Sequence, residues 1–213
     1  MSGLLIVGRG AFGREVLNYA LDAGLSVRGF VDDNPGAFGL PQCGVGILGT
    51  LEEVDFDPAD DRFVIAVGDA VARKSLAIRV HQRGGSLASI VHPTAYVARD
   101  ASVGDGCVIC PFAVVATNAC VAENTAINTY ASVGHDAQIG AHCVFSPYSV
   151  VNGNVHLGES VFLGTHATVT PGCHVGVGSK VSAGATVTRS FEPGSLVSGN
   201  PAKGRVMFLL ANG

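Results

Sequence analysis

The chain has 213 residues, of which 47% are hydrophobic and 14% charged, and its net charge is −4. Such a chain has enough apolar residues for a core, which excludes an intrinsically disordered protein. It has no Lys/Arg cluster to neutralise phosphates and no apolar run near the roughly 20 residues of a membrane span, so we expect neither a nucleic-acid partner nor a membrane-spanning segment.

The N-terminal residues MSGLLIVGRG lack the basic start and the long apolar stretch of a signal peptide. We therefore expect a cytoplasmic protein with reduced cysteines. Cys107 and Cys110 form a lone C-x-x-C, but structural zinc needs four ligands, so buried free thiols are the better interpretation. The six cysteines are Cys43, Cys107, Cys110, Cys120, Cys143 and Cys173.

The first 90 residues alternate between strand and helix patterns, which is typical of a small parallel sheet. A Gly/Pro-rich loop follows the second strand and ends near Gly49. The chain order predicts an α/β N-terminal domain with a small Rossmann-like parallel sheet over residues 1–88. Its predicted elements are strands at Leu4 to Val7, Val27 to Val31 and Phe63 to Val67, and helices at Arg14 to Ala23 and about Ala70 to Arg83.

Gly8, Gly10 and Gly13 form a G-x-G-x-x-G motif after the first strand, and Asp32 follows the second strand 19 residues beyond Gly13. In dinucleotide-binding domains these glycines let the backbone approach a diphosphate, and the carboxylate binds ribose. NAD is one possible ligand. The domain is too small for a second mononucleotide-binding unit, so the single nucleotide of a nucleotide-sugar fits better.

Apolar residues recur at every sixth position from residue 91 to residue 187, at 17 consecutive steps. In a chosen frame, chance produces such a column about once in 10⁵ to 10⁶ sequences, since roughly half of all residues are apolar. The column is Val91, Val97, Val103, Ile109, Val115, Val121, Ile127, Val133, Ile139, Phe145, Val151, Leu157, Leu163, Val169, Val175, Val181 and Val187.

A second column, four residues after each of these positions, is small or medium in size. Its members are Ala95, Ala101, Cys107, Ala113, Ala119, Thr125, Ala131, Ala137, Cys143, Ser149, Val155, Val161, Ala167, Cys173, Ser179 and Ala185. A period of six fits neither an α-helix nor an alternating strand. It fits a short strand and a tight turn, with one branched and one small residue pointing into a narrow core, where Cys107, Cys143 and Cys173 are packing residues.

Glycines directly after the branched column are predicted to take the positive φ of the turns. They are Gly104, Gly134, Gly140, Gly158, Gly164 and Gly176. The whole pattern resembles the hexapeptide-repeat, left-handed β-helix superfamily, in which three hexads form one triangular coil. This resemblance implies between five and six coils, and the left-handedness comes from it alone.

A Rossmann-like domain followed by a hexapeptide β-helix resembles the bacterial nucleotide-amino-sugar N-acetyltransferases and their sialic acid O-acetyltransferase relatives. The resemblance covers nearly the whole chain. It rests on Gly8-Arg9-Gly10-Ala11-Phe12-Gly13-Arg14-Glu15-Val16, Gly29-Phe30-Val31-Asp32-Asp33, Ala66-Val67-Gly68-Asp69 with Arg73, Gly134-His135-Asp136 and Gly199-Asn200-Pro201-Ala202. It implies an all-β, left-handed parallel β-helix acetyltransferase domain over residues 89–213, and a cytoplasmic homotrimer with active sites between subunits.

The implied function is transfer of the acetyl group of acetyl-CoA to an amino group, at C4, of a nucleotide-linked amino-sugar in bacterial surface-glycan biosynthesis. This reaction needs a base, an oxyanion donor and aligned substrates, and no metal. His135 is the best base, because it follows the Val133-Gly134 corner and should project outward beside Asp136, which orients the imidazole and raises its basicity. The resemblance gives the same pair these roles and gives Gly153, 18 residues on, the oxyanion.

The resemblance also implies two sets of binding residues. The nucleotide-sugar set is Gly8, Gly10, Ala11, Phe12, Gly13, Asp32, Asp33, Gly68, Asp69 and Arg73; a solvent-exposed helix residue is the alternative for Arg73. The acetyl-CoA set is His142, Val144, Gly164, Thr165, Ala183, Gly184, Lys203 and Arg205. Two positions depart from the family: relatives often have Gly-His at Ala11-Phe12, and often have a second histidine at Val144.

Three other functions fit parts of the sequence. A metal enzyme of the γ-carbonic-anhydrase type shares the β-helix and needs histidine ligands; His156 and His174, which are 18 apart, are the only histidines that would stack. A noncatalytic nucleotide-binding scaffold would bind the same ligands without releasing thiol. An O-acetyltransferase acting on sialic acid or another free sugar would use the same base.

Overall fold

The computed structural model describes residues 3–34 and 45–208. The N-terminal part is the expected small parallel sheet, in the strand order β3-β2-β1-β4, with every neighbouring pair parallel. Its elements are β1 (Leu4–Val7), α1 (Ala11–Asp22), β2 (Val27–Val31), β3 (Ile47–Gly49), β4 (Arg62–Ile65) and α2 (Ala70–Gln82).

Two local features differ from the sequence prediction. The helix α1 begins at Ala11 instead of Arg14, because Gly10 has an extended backbone and is its N-cap residue. The end of the predicted loop forms β3, which pairs with β2 through Phe30 and Ile47. The rest of that loop, with Cys43, lies outside the described residues.

The remaining chain is a parallel β-helix, as predicted. Each of its two-residue strands ends on a member of the branched column. The strands are β5 (Ile90–Val91), β6 (Tyr96–Val97), β7 (Ser102–Val103), β8 (Val108–Ile109), β9 (Val114–Val115), β10 (Cys120–Val121), β11 (Ala126–Ile127), β12 (Ser132–Val133), β13 (Gln138–Ile139), β14 (Val144–Phe145), β15 (Val150–Val151), β16 (His156–Leu157), β17 (Phe162–Leu163), β18 (Thr168–Val169), β19 (His174–Val175), β20 (Lys180–Val181) and β21 (Thr186–Val187).

These 17 strands form three flat faces, and each strand pairs with the strand 18 residues away, as Ile127 pairs with Phe145. Face 1 contains β5, β8, β11, β14, β17 and β20; face 2 contains β6, β9, β12, β15, β18 and β21; face 3 contains β7, β10, β13, β16 and β19. The β-helix therefore has between five and six coils. The hairpin of β22 (Ser195–Ser198) and β23 (Lys203–Val206) extends face 1 at the C-terminal end.

The two predicted columns form one continuous interior cluster. Cys107 and Cys143 are fully buried in it, and burial raises the pKa of these thiols to about 11 and about 12, as expected for packing residues. Val91 is the exception: it is 41% exposed, because it lies in the first coil, at the open end of the β-helix.

The predicted reason for the turn glycines is wrong. Positive φ occurs three residues after the branched column, at residues such as Asp136 and Gly184, and not at the glycines that follow it directly. Those glycines are needed because consecutive coils approach closely. A Cβ atom on Gly140 would lie 2.6 Å from the backbone nitrogen of Glu159, and one on Gly164 would lie 2.5 Å from that of Ala183.

The positive-φ residues lie along the three corners of the β-helix. The aromatic corner (Phe112, Tyr130, Tyr148, His166) joins face 1 to face 2, the His135 corner (Asn118, His135, Asp136, Gly153, Asn154) joins face 2 to face 3, and the buried corner (Asn124, His142, Ser160) joins face 3 to face 1. The N-terminal domain covers face 1, where its apolar residues pack on Ile90, Val108 and Ala126. No helix in residues 3–34 and 45–208 is long and apolar enough to span a membrane.

Candidate active site

His135 and Asp136 form a hydrogen-bonded pair on an exposed corner. The distance from Nδ1 of His135 to Oδ2 of Asp136 is 2.7 Å, and the side chains are 59% and 45% exposed. With Nδ1 occupied by the carboxylate, the Nε2 atom is left to act as a base. Hydrogen bonds from His135 and then Asn118 keep the pKa of Asp136 below its usual value, so the carboxylate stays ionised beside the imidazole.

Gly153 lies directly beneath the His135 ring. A Cβ atom at this position would overlap Cε1 and Nε2 of the imidazole. The backbone N–H of Asn154 donates to the carbonyl oxygen of His135 at 2.9 Å, which ties the two coils together. The absence of a side chain at Gly153 therefore makes room for the ring itself, whereas its role at an oxyanion stays a prediction.

A cleft lies between the start of α1 and face 1 of the β-helix. Its lining is mainly apolar, with Glu15 as the one charged residue, and it contains three of the residues predicted for the nucleotide-sugar, namely Ala11, Phe12 and Gly68. Val144, which was predicted for acetyl-CoA, also lines it. The full lining is Ala11, Phe12, Glu15, Gly68, Ala126, Asn128, Val144, Ser146 and Phe162.

Each of the three glycines in the G-x-G-x-x-G turn beside this cleft meets a different structural requirement. Gly8 has φ +97°, and a Cβ there would lie 2.9 Å from Val67. A Cβ on Gly13 would collide with the carbonyl oxygen of Gly8, so this glycine allows close packing of α1 on the strand end. Space at Gly10 is open, and this residue caps α1 without a side-chain hydrogen bond. The turn can therefore accept an anion at the helix N-terminus.

The three predicted aspartates already have protein partners. Asp32 accepts a hydrogen bond from the backbone N–H of Arg9 at 2.8 Å, which holds the glycine turn. Asp33 pairs with Arg79 at 2.7 Å, a contact that lowers the pKa of Asp33. Asp69 accepts from two backbone N–H groups as the N-cap of α2. These contacts hold loops and a helix end, and binding of the nucleotide-sugar by the three carboxylates stays a prediction.

Arg73 does not line the cleft, and it is not a solvent-exposed helix residue either. It is fully buried between α2 and the β-helix. Its guanidinium donates to the carbonyl oxygens of Ile65, Val67 and Asn124, and to the side-chain oxygen of Asn124 at 2.9 Å. The nucleotide-sugar prediction for this side chain and its solvent-exposed alternative are both corrected for one reason: its donors are used to join the two domains.

His142 is also buried in this interface, which disfavours the predicted contact with acetyl-CoA. Its Nδ1 atom lies 3.0 Å from Nδ2 of Asn124, and burial lowers the pKa of the imidazole. Of the other residues predicted for acetyl-CoA, four lie in turns of the aromatic corner, where one is buried and three are exposed, and two lie on β23. They are Gly164, Thr165, Ala183 and Gly184 at the corner, and Lys203 and Arg205 on the strand.

The possible metal ligands His156 and His174 are neighbours on face 3, as their spacing predicted. Both side chains are exposed on the outer surface. Within residues 3–34 and 45–208, no group of three or more His, Cys, Asp or Glu side chains is arranged to hold a metal ion. Among the residues that the structure describes, the γ-carbonic-anhydrase alternative thus has two neighbouring histidines in its favour and no third ligand from the same chain.

One feature of the β-helix was missed from the sequence. Phe112, Tyr130, Tyr148 and His166 form a continuous stack of rings along the aromatic corner, with centroid distances of 5.0, 4.9 and 5.0 Å and nearly parallel planes. All have positive φ, which is unfavourable for bulky residues. The 18-residue spacing of these four residues was the available signal.

Comparison with known proteins gives a consistent result. Residues 3–80 match the family model of the PglD N-terminal domain. The structure of PerB from Caulobacter crescentus, solved with CoA and GDP-perosamine, is 30% identical, with a TM-score of 0.86 over 96% of this chain and 98% of that one. A mutant of perosamine N-acetyltransferase from the same organism, solved with the same two ligands, is 29% identical, with a TM-score of 0.87 over 96% of this chain and 97% of that one. The chain belongs to the nucleotide-amino-sugar N-acetyltransferase family.

Other solved structures of similar size agree with this assignment. The acetyltransferase domain of PglB from Neisseria gonorrhoeae is 30% identical, with a TM-score of 0.87 over 94% of this chain and 98% of that chain, and it has also been solved with acetyl coenzyme A. WeeI from Acinetobacter baumannii is 26% identical, with a TM-score of 0.86 over 96% of this chain and all of that one. No curated protein matches significantly. The sequence predictions of fold, family, acetyl-CoA dependence and nucleotide-amino-sugar N-acetylation are thereby confirmed.

Proposed function

We propose that the protein transfers the acetyl group of acetyl-CoA to the C4 amine of a nucleotide-linked 4-amino-sugar, with His135 as the general base. The observation that carries the proposal is the exposed imidazole whose Nδ1 is held by Asp136 at 2.7 Å. The similarity to an enzyme solved with CoA and GDP-perosamine supports the substrate class. We place the reaction in the cytoplasm, as a step of bacterial surface-glycan biosynthesis.

In the proposed reaction the amine attacks the thioester carbonyl carbon, and Nε2 of His135 accepts the proton that the amine loses. The C–S bond then breaks, and the imidazolium returns the proton to the departing thiolate, so the base is regenerated. Asp136 stabilises the imidazolium that forms in between. The backbone N–H of Gly153 is proposed to donate to the thioester oxyanion.

The nucleotide-sugar is proposed to bind in the cleft beside the glycine turn. The open space at Gly10 and the unblocked N-terminus of α1 suit the diphosphate. Phe12, Phe162 and Val144 offer an apolar wall to the sugar, and Asn128 and Ser146 offer hydrogen bonds. The acetyl-CoA arm is proposed to lie along Gly164, Thr165, Ala183 and Gly184, with Lys203 or Arg205 near its phosphate.

The proposed site needs more than one copy of the chain. The cleft lies on face 1, whereas His135 lies on the corner between face 2 and face 3, so the whole of face 2 separates them. A homotrimer with sites between subunits would bring the His135 corner of one copy to the cleft of another. Multi-angle light scattering should therefore give three times the 21.7 kDa chain mass, and a monomer that is fully active would contradict this arrangement.

The activity is tested by following thiol release from acetyl-CoA with a panel of acceptors. The panel contains GDP-, UDP- and dTDP-linked 4-amino-sugars, and free sialic acid as the O-acetylation arm. We expect turnover with at least one nucleotide-linked amine, and mass spectrometry should place the acetyl group on nitrogen. Thiol release with sialic acid alone, or with no member of the panel, would contradict the proposal.

A further inference from the structure

Asn118 lies one coil before Asp136 on the His135 corner, at the equivalent position of the turn. Both residues have positive φ, of 52° and 57°. The Nδ2 atom of Asn118 donates to Oδ1 of Asp136 at 3.3 Å, while Oδ2 of the same carboxylate accepts a hydrogen bond from Nδ1 of His135 at 2.7 Å. Each carboxylate oxygen therefore has its own donor, and the plane of the carboxylate is defined by two hydrogen bonds from two different coils.

Asn118 is in turn held by its own neighbours. Thr117 donates from its hydroxyl to Oδ2 of Asp100 at 2.5 Å, and the backbone N–H of Asn118 also donates to Asp100. The carbonyl oxygen of Thr117 accepts the backbone N–H of Asp136 at 3.1 Å. These hydrogen bonds thus link three coils, from Asp100 through Asn118 to Asp136, and end at His135.

We propose that Asn118 is a positioning residue for the reaction: it holds the Asp136 carboxylate in the orientation that keeps the proton of His135 on Nδ1 and leaves Nε2 free. The inference rests on the proposed role of His135. Among the described residues, Asn118 has a hydrogen bond to Asp136 and none to the His135 ring or to the cleft residues, so it acts through Asp136. Without its amide, the carboxylate can rotate away from the imidazole, and the fraction of histidine in the productive tautomer falls.

The chain contains a matched control for this position. Asn154 lies one coil beyond Asp136 at the same turn position, with φ 58°, and its side chain is exposed. Its backbone N–H binds His135, but within residues 3–34 and 45–208 its side chain makes no hydrogen bond to the pair. Glycine accepts positive φ at either site, so Asn118→Gly and Asn154→Gly remove equivalent amides with the same backbone cost.

The kinetic test compares these two variants with the wild-type protein under saturating acetyl-CoA. We expect kcat of Asn118→Gly to fall roughly tenfold, the size of a lost hydrogen bond to a charged group, with KM for both substrates unchanged. Asn154→Gly should stay within about twofold of wild type. Equal losses in the two variants, or a loss that appears in KM alone, would overturn the inference.

A pH profile gives a readout that a purely structural residue would not move. The ionisable groups facing this position are Asp100, His135 and Asp136. In Asn118→Asp a further carboxylate stabilises the imidazolium, so the acidic limb of the kcat profile should move to higher pH, in addition to the loss of rate. An unchanged limb would contradict contact between this position and the base.

A spectroscopic measurement separates this inference from the proposed function. In protein labelled with ¹⁵N-histidine, the His135 signal is assigned by its disappearance in His135→Ala. We expect the Nδ1-protonated tautomer in the wild type and in Asn154→Gly, and a mixture of tautomers in Asn118→Gly. The same tautomer ratio in all three would sink the positioning role even if acetyl transfer is confirmed, and a changed ratio would support it even if no substrate in the panel reacts.

Discussion

His135 and His142 are seven residues apart in one β-helix, yet their surroundings differ in every respect that decides chemistry. His135 is exposed, has a carboxylate on Nδ1 and lies over a glycine. His142 is buried, has an amide on Nδ1 and has a lowered pKa because of its burial. A proton acceptor needs access to its substrate and stabilisation of its charged form, and only His135 has both.

The largest difference between the two histidines should appear on substitution. Removal of a general base typically costs 10² to 10⁴ in rate, so His135→Ala should lose about that factor in kcat while its melting temperature stays close to wild type. His142→Ala should lose about 1–3 kcal/mol of unfolding free energy, because the buried amide of Asn124, beside Arg73, loses its hydrogen-bond partner.

Thiol-release kinetics and urea unfolding of both variants measure this contrast. The two effects should separate cleanly, with activity lost in one variant and stability in the other. A His135→Ala protein that turns over at near-normal kcat would remove this residue as the base.

A smaller effect is expected from the residue beneath the His135 ring. Gly153→Ala places a methyl group where Cε1 and Nε2 lie, so the ring must tilt away from its position beside Asp136. A displacement of about 1 Å in a catalytic group costs up to about 100-fold in rate. We expect kcat to fall by roughly 10- to 100-fold without a matching loss of stability.

Gly46→Ala is the control for this substitution, since its Cβ would meet open space in the N-terminal domain. Its kcat should match wild type. If the kcat of Gly153→Ala also matches wild type, the position of the His135 ring does not depend on the absence of a side chain at Gly153.

The smallest effect concerns the dependence of stability on pH. The folded-state pKa of His142 is below its ordinary value of 6.5. Above about pH 6.5 the residue is neutral in both states, and below it the unfolded chain binds a proton that the native protein does not. The free energy of unfolding therefore falls as the pH drops from about 6.5 towards the folded pKa, by up to about 1.4 kcal/mol per pH unit for this one group.

Urea unfolding between pH 7 and pH 5 measures that slope. The free energy of unfolding of His142→Gln should decrease less steeply with falling pH than that of the wild type. His135→Gln, which changes an exposed histidine, is the comparison. Equal slopes for wild type and His142→Gln would show that the imidazole is not kept neutral by burial.

The sequence indicated His135 as the proposed base but misjudged the surroundings of the site. His135 was found because its position relative to Val133 places it outside a corner, and coil stacking placed Gly153 on the same side. The sequence predicted Gly153 for the oxyanion, whereas in the structure the imidazole of His135 occupies the space that a side chain at Gly153 would need. Arg73 was misread because a charged residue on a helix is normally exposed, and nothing near it in sequence signals Asn124, 51 residues away.

The six-residue period by itself determined the β-helix, its register and the interior position of Cys107, Cys143 and Cys173, because alternation between a wall and a turn is a local property repeated along the chain. The G-x-G-x-x-G motif likewise located the turn before α1. Only the tertiary structure decided which corner is covered. Burial of Arg73 and His142 and the exposure of His135 depend on the face on which the N-terminal domain packs, and that choice is made by surfaces distant in sequence.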